Sequence, residues 1–269
     1  MLRDYFGKDA TILKNKKLWL FDMDGTIYEE NKLFTGTIEL LKQITEKGGK
    51  YVFITNNSSK SIKDYIRKVN GLGIIADEHN FFTSSQATAL YLHKCYPQAK
   101  VYCQGTKSLI LELKEFGICV TEDIEDDVAV VLVGFDTELT SEKLRKTCYL
   151  LKRDIPFVAT NCDLRCPVEF GYIPDCGSIC QMLSNATNKM PIYIGKPEPM
   201  MIEFAMAKLG FSKDETVVVG DRLYTDIASG NNSGVTSLCV LTGEATVEDI
   251  NASTDKPTFT FKSVEEIVL

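Results

Sequence analysis

The chain predicts an α/β fold: a doubly wound, mainly parallel sheet interrupted by a large α/β insertion. Three observations carry this. Short apolar runs that read as buried strands end on polar residues: residues 18–21 before Asp22, 51–54 before Thr55, and 216–219 before Gly220 and Asp221. Helical patterns alternate with these runs, as a parallel sheet requires of its crossovers. Between Thr55 and Lys196 lie roughly 140 residues, far more than a crossover needs and enough for a separate domain.

The first strand delivers Asp22 and Asp24, spaced i, i+2, onto a turn at Gly25. Side chains alternate along a strand, but Asp24 lies where strand gives way to turn. Both carboxylates therefore approach one place from different directions. A divalent metal ion with a nucleophile beside it needs that arrangement. One carboxylate attacks and ligates, the other manages a proton, and Gly25 admits backbone N–H groups to an anion. The competing readings are an ordinary turn and a calcium loop. After Gly25 the chain runs Thr-Ile-Tyr-Glu-Glu-Asn, without the alternating Asp/Asn ligands of an EF-hand.

Roughly thirty residues separate Asp24 from Thr55, space for one helix and its connections, which residues 38–47 supply. The second strand ends in Thr55, Asn56, Asn57, Ser58 and Ser59. Ser58 or Ser59 caps a helix over 60–72, whose N-terminal N–H groups favour a phosphate unless the cap is a plain one. Residues 81–85 lead out of this region, and 87–94 read as a helix. In the insertion, 100–103, 128–133 and 157–159 read as strands. Residues 141–153 read as a helix starting at Ser141, with Leu144, Cys148 and Leu151 on one face. The chain returns near 188–191. Lys196, between Gly195 and Pro197, precedes a helix over 199–209 closed by Gly210. Alone it reads as a surface charge. The strand at 217–219 then leads to Asp221 and Asp226. No internal repeat or low-complexity stretch is present.

In this order the four polar strand ends resemble the haloacid dehalogenase (HAD) superfamily of aspartate-nucleophile phosphohydrolases. Asp22 and Asp24 match its first motif, Thr55 the second, Lys196 the third, and Asp221 with Asp226 the fourth. The resemblance spans almost the whole chain. It implies a Rossmann-like core over 1–83 and 189–269, with a mixed α/β C2-type cap domain over 84–188. It implies that Asp22 attacks phosphorus, while Asp24 protonates the leaving oxygen and then activates water. Thr55, Asn56 and Lys196 would hold the phosphoryl oxygens. Mg²⁺ would be held by Asp22, the Asp24 backbone carbonyl and Asp221, with Asp226 bracing the site.

Residues 130–136, 159–163 and 173–178 are similar to the NagD-like branch, subclass IIA, also known as nitrophenylphosphatases. Relatives there act on nucleotide monophosphates, phosphoglycolate or pyridoxal phosphate. The resemblance points to Asn161, Asp163, Cys176, Gly177 and Ser178 as cap residues that select the substrate, unless they only shape turns.

The residue chemistry suits these roles independently. Lysine, a metal ion and backbone N–H groups stabilise charge spread over phosphoryl oxygens. Mg²⁺ takes oxygen ligands and keeps several waters, so few carboxylates suffice. The expected reaction is Mg²⁺-dependent hydrolysis of a small phosphorylated metabolite, such as a nucleotide monophosphate or sugar phosphate, through an aspartyl-phosphate. A phosphotransferase or phosphomutase using the same intermediate stays open. So does a non-catalytic phosphate-binding protein, although that class would be expected to have lost Asp22 or Asp24.

Composition agrees. With 269 residues, 44% of them hydrophobic, the chain can build two modest cores. Its formal charge of −7, with basic residues dispersed, disfavours a nucleic-acid polymer as partner. No apolar run approaches the roughly twenty residues that cross a bilayer, and residues 1–17 lack the apolar stretch of a secretory signal. A cytoplasmic enzyme with no membrane partner is the expectation, and a homodimer is as compatible with the resemblance as a monomer. Among nine cysteines, Cys162, Cys166, Cys176 and Cys180 form two Cys-x₃-Cys pairs with formal zinc spacing. Reduced thiols are the simpler expectation, and disulfides are not expected.

Overall fold

In a computed structural model describing residues 2–269, six strands form the sheet of a first unit. That unit comprises the residues up to Thr55, Ile62–Phe82 and Lys196–Leu269. Its strand order is Phe259–Phe261, Thr236–Val240, Thr216–Gly220, Leu18–Phe21, Lys50–Thr55, Phe81–Thr83. Leu18–Phe21 pairs in parallel on both sides, with Leu18 opposite Thr216 and opposite Lys50. Strands made before the insertion lie on one side, and those made after it on the other. The order therefore reverses between Leu18–Phe21 and Thr216–Gly220. Open α/β sheets bind ligands beyond the carboxyl ends of their strands at such a reversal.

A strand covered on both faces has no polar side to show, and Leu18, Trp19, Leu20 and Phe21 are all fully buried. Trp19 and Phe21 stack with ring centroids 5.9 Å apart, and Phe53 meets Phe81 at 5.4 Å. The helix Thr37–Glu46 lays Leu40, Leu41 and Ile44 on this core, and Ile62–Gly71 adds Tyr65 and Val69.

The second unit comprises Asn56–Ser61 and Thr83–Gly195. Its five-stranded sheet runs Ile192–Tyr193, Phe157–Ala159, Val128–Val133, Lys100–Gln104, Cys119–Thr121, with every pairing parallel. An antiparallel hairpin, Arg165–Val168 with Gly171–Pro174, accompanies it. The helix Ser84–Cys95 opens with a capping box in which Thr83 and Gln86 satisfy each other's backbone N–H. Helices Lys107–Glu115 and Ser141–Leu151 serve the crossovers.

Residues 56–61 and 189–195, expected in the core, group with the second unit, and a further segment departs from the sequence reading. Residues 175–178 do not merely shape a turn: the helix Cys176–Thr187 begins there, with Asp175 as its N-cap, accepting from the Cys176 N–H at 2.5 Å. Cys176, Ile179, Cys180 and Leu183 recur at helical spacing and are buried. Cys162, Cys166, Cys176 and Cys180 form no metal site. Among the described residues the one group of His, Cys, Asp or Glu close enough to share an ion is Asp22, Asp221 and Asp226. None of the nine cysteines is joined in a disulfide. No helix among the described residues is long and apolar enough to cross a membrane.

Candidate active site

Asp22 continues the central strand, its N–H donating to the Val219 carbonyl at 2.8 Å. Lys196 is buried beside it. Its Nζ donates to Asp22 Oδ1 and Asp226 Oδ1, both at 2.6 Å, and reaches the Ile54 carbonyl at 3.4 Å. One ammonium thus gathers the carboxyl ends of Leu18–Phe21 and Lys50–Thr55 and the turn after Thr216–Gly220. That turn contains a single π-helical turn, Leu223–Ile227, which carries Asp226 inward. Such insertions recur at functional sites because they re-aim one side chain. Asp226 Oδ2 accepts from the Arg222 N–H at 3.1 Å.

Asp221 is held from two sides. Thr26 Oγ1 donates to its Oδ1 at 3.3 Å, and the Glu244 N–H donates to its Oδ2 at 2.8 Å. Two glycines make the space. A Cβ on Gly243 would stand 2.0 Å from Asp221 Oδ2, and one on Gly25, whose φ is +81°, would stand 2.6 Å from it. Arg222 Nε lies 3.1 Å from Glu244 Oε2, joining the two loops that flank Asp221.

Burial pushes the Asp22 carboxyl up to about 7. Lys196 opposes the rise, and the charges of Asp226 and Asp221 add to it. Asp221 rises to about 6 through burial and the nearby Asp226 charge, against the Glu244 N–H bond. For Lys196, burial works against the charge, but Asp22 and Asp226 outweigh it and hold the ammonium well above its ordinary range. Ligand oxygens of Asp22, Asp221 and Asp226 lie within 4.8 Å of one another. An all-oxygen set facing a carboxylate excess fits a hard divalent cation.

Asp226, expected to brace the site, lies close enough to Asp22 and Asp221 to share an ion with them, while the part expected of Asp24 toward a metal is its backbone carbonyl and not its carboxylate. The Asp24 side chain is exposed; it accepts from Tyr28 Oη at 3.4 Å and lies 3.7 Å from Lys68 Nζ. That ammonium sits 4.0 Å above the Tyr28 ring. Thr55 is buried at the end of its strand.

The second unit accounts for the remaining expected residues. Asn56 Nδ2 donates to both oxygens of Asp163, at 3.1 and 3.2 Å. The Asn56 side-chain amide is thus engaged by a carboxylate. Asn161 is fully buried and donates to the Asn56 carbonyl at 2.8 Å. Cys176, expected to touch substrate, is instead a core residue with its thiol 3.5 Å from the Val133 carbonyl. Gly177 is buried against the Cys162 carbonyl, 2.1 Å from where a Cβ would be, and Ser178 Oγ donates to the Leu164 carbonyl. These three bonds and contacts build the helix start and leave Cys176 and Gly177 no surface to offer.

Sequence reasoning missed Thr26, Arg222, Glu244 and Lys68. A signal existed for Glu244: it follows an apolar strand, Thr236–Val240, and a glycine, as Asp221 does.

Comparison with known proteins gives consistent matches. A haloacid dehalogenase-like hydrolase model matches residues 19–119, and a HAD-hydrolase-like model matches 193–267. An acid sugar phosphatase from Staphylococcus saprophyticus is 34% identical over 256 residues, 95% of this chain and 98% of the relative. A 4-nitrophenylphosphatase structure from Thermotoga maritima superposes with a TM-score of 0.90 at 37% identity, covering 95% of this chain and 97% of that one. A glycerol phosphate phosphatase from Mycobacterium tuberculosis, solved in complex with magnesium, gives 0.88 at 30%, covering 95% and 78%.

Proposed function

The chain belongs to the haloacid dehalogenase-like hydrolases, in the branch of NagD and the 4-nitrophenylphosphatases, and on that premise we propose how it acts. It is a phosphatase for small phosphomonoesters that works through an aspartyl-phosphate on Asp22. The observation that carries this reading is the buried Lys196 pairing Asp22 with Asp226, beside Asp221, at the reversal of the sheet.

In the first step an Asp22 oxygen bonds to phosphorus as the ester oxygen leaves, and Asp24 gives that oxygen its proton. Next, Asp24 takes a proton from water, the water oxygen bonds to phosphorus, and the Asp22–phosphorus bond breaks. Inorganic phosphate and the original carboxylate result. Lys196 opposes the protonation that burial favours at Asp22 and places fixed positive charge beside the transferring group. Thr55 and the backbone N–H of Asn56 supply donors to the phosphoryl oxygens. Mg²⁺, held by Asp22 and Asp221 with Asp226 and the Asp24 carbonyl, would neutralise phosphoryl charge. Sugar phosphates, glycerol phosphate and aryl phosphates are the proposed substrates, on the strength of what the relatives are named for. Incubation with a panel of these esters, nucleotide monophosphates and Mg²⁺ tests the proposal by free-phosphate release. Transfer of phosphate chiefly to an added alcohol or sugar would make the protein a phosphotransferase instead.

Metal binding should couple to pH. Asp22 and Asp221 have folded pKa values above the unfolded value of about 3.9, so the metal-free fold holds their protons longer than the unfolded chain does. The stability they lend is complete below that unfolded value and is lost as pH rises through 6 and 7. A divalent cation displaces those protons. The rise in Tm caused by millimolar Mg²⁺ should therefore grow from about pH 5.5 to about pH 7.5. A calorimetric gain that is flat across this range would remove these carboxylates as the ligand set.

Gly243→Ala offers a second check, because the new methyl must displace Asp221 Oδ2 or the loop itself. Mg²⁺ affinity by isothermal titration should fall roughly 10–100-fold, the usual cost of disturbing a group that orients a ligand. An unchanged affinity would show that Asp221 does not hold the metal.

A further inference from the structure

We infer that Asn161 and Asp163 are positioning residues for phosphate capture, acting through Asn56, and not contacts to the leaving group. The inference rests on the phosphatase reading and deepens it.

Two of the places where the chain passes between its units are the Thr55–Asn56 and Gly195–Lys196 peptide bonds. These bonds adjoin the two side chains proposed to hold the phosphoryl group. Asn56 and Gly195, the residues just across them, are both anchored to one loop, residues 160–163. The Asn56 carbonyl accepts from Asn161 Nδ2 at 2.8 Å and from Ser84 Oγ at 2.6 Å, which fills both its lone pairs. Asn56 Nδ2 donates to both Asp163 oxygens. Asn161 Oδ1 accepts from the Asp163 N–H at 2.9 Å, so the two loop residues hold each other as well. Gly195 N–H donates to the Thr160 carbonyl at 2.9 Å. A Cβ on Gly195 would stand 2.4 Å from Asn56 Oδ1 and 3.1 Å from Asn161 Cβ. The Gly195 backbone and the Asn56 amide thus pack directly against each other on that loop.

Asn56 and Asn161 are buried, and hydrogen bonds strengthen where water is excluded. Consecutive Cα atoms stay about 3.8 Å apart, so fixing Asn56 and Gly195 leaves Thr55 and Lys196 only one residue of slack. Misplacing a binding group by about 1 Å costs up to about a hundredfold. Asp163 and Asn161 are therefore well placed to set phosphate affinity while touching no phosphate. Nothing in these bonds reads the rest of the substrate.

The test compares wild type with Asp163→Ala, Asp163→Asn and Asn161→Ala in the full-length protein. KM for 4-nitrophenyl phosphate and for glycerol phosphate should rise by a common factor. Inhibition by inorganic phosphate should weaken by that same factor, roughly ten- to hundredfold for Asp163→Ala, the usual effect of losing a hydrogen bond to a charged partner. Asp163→Asn keeps an acceptor for Asn56 and should show a smaller rise. The Mg²⁺ dissociation constant and the ratio of kcat/KM between the two esters should stay put, which loss of packing alone would not ensure. If Asp163→Ala proves unfolded by thermal melt, Asp163→Asn alone decides the matter. A changed ester ratio with unchanged phosphate inhibition would overturn the inference and restore a leaving-group role. Unchanged phosphate inhibition in all three variants would overturn it as well. Thr55→Ala is the control: if it leaves phosphate inhibition intact, the phosphate site itself is misassigned and the inference falls with it.

Discussion

Asp22→Asn will reduce turnover to background and abolish phosphoenzyme formation while leaving the protein folded. The amide has nearly the shape of the carboxylate and can still accept from Lys196 Nζ, now 2.6 Å from Asp22 Oδ1. It is a poor nucleophile and a weaker metal ligand, so the step that makes the intermediate is lost. Lys196 keeps Asp226 as a charged partner, which preserves the local fold. Rapid quench with a radiolabelled ester, followed by peptide mapping, locates the phosphorylated residue in the wild type. Label on any residue but Asp22 would sink the assignment.

Asp24→Asn should cost on the order of 10²–10⁴ in rate, the range for removing a general acid–base. Its exposed side chain carries no core packing, so stability should hardly move. The loss should be smaller for 4-nitrophenyl phosphate than for an alkyl phosphate when phosphoenzyme formation limits the rate, because a good leaving group departs without a proton. Equal losses under that condition would take the acid role from Asp24.

The strands that build the site were legible because their burial on both faces leaves unbroken apolar runs, each stopping at a polar residue. Asp22, Thr55, Asp221 and Asp226 stood out at or just after such stops, whereas Lys196 alone read as a surface charge and stood out only with the other motifs; Lys196, Asp22 and Asp226 form a bonded triad beside Asp221. The partners of those residues were not legible. The inward place of Asp226 depends on a π turn, and the contacts of the exposed Asp24 carboxylate on Tyr28 and on Lys68, a helix residue far along the chain. The start of the helix Cys176–Thr187 was hidden because Asp, Gly and Ser are favoured in turns as well as at helix starts. Asn161 and Asp163 read as cap residues that select the substrate or shape a turn, since periodicity says nothing about a bond to Asn56.

The strand order also sets a timetable for the growing chain. As synthesis proceeds, Leu18–Phe21 meets Lys50–Thr55 early, but its other neighbour, Thr216–Gly220, follows the whole second unit. Through that interval an all-apolar strand offers an open edge of unpaired backbone groups, the kind that recruits wrong partners. The strand that finally covers this edge is the one leading into Asp221 and Asp226. Covering that edge and delivering the last two carboxylates of the Asp22, Asp221 and Asp226 cluster are therefore one event.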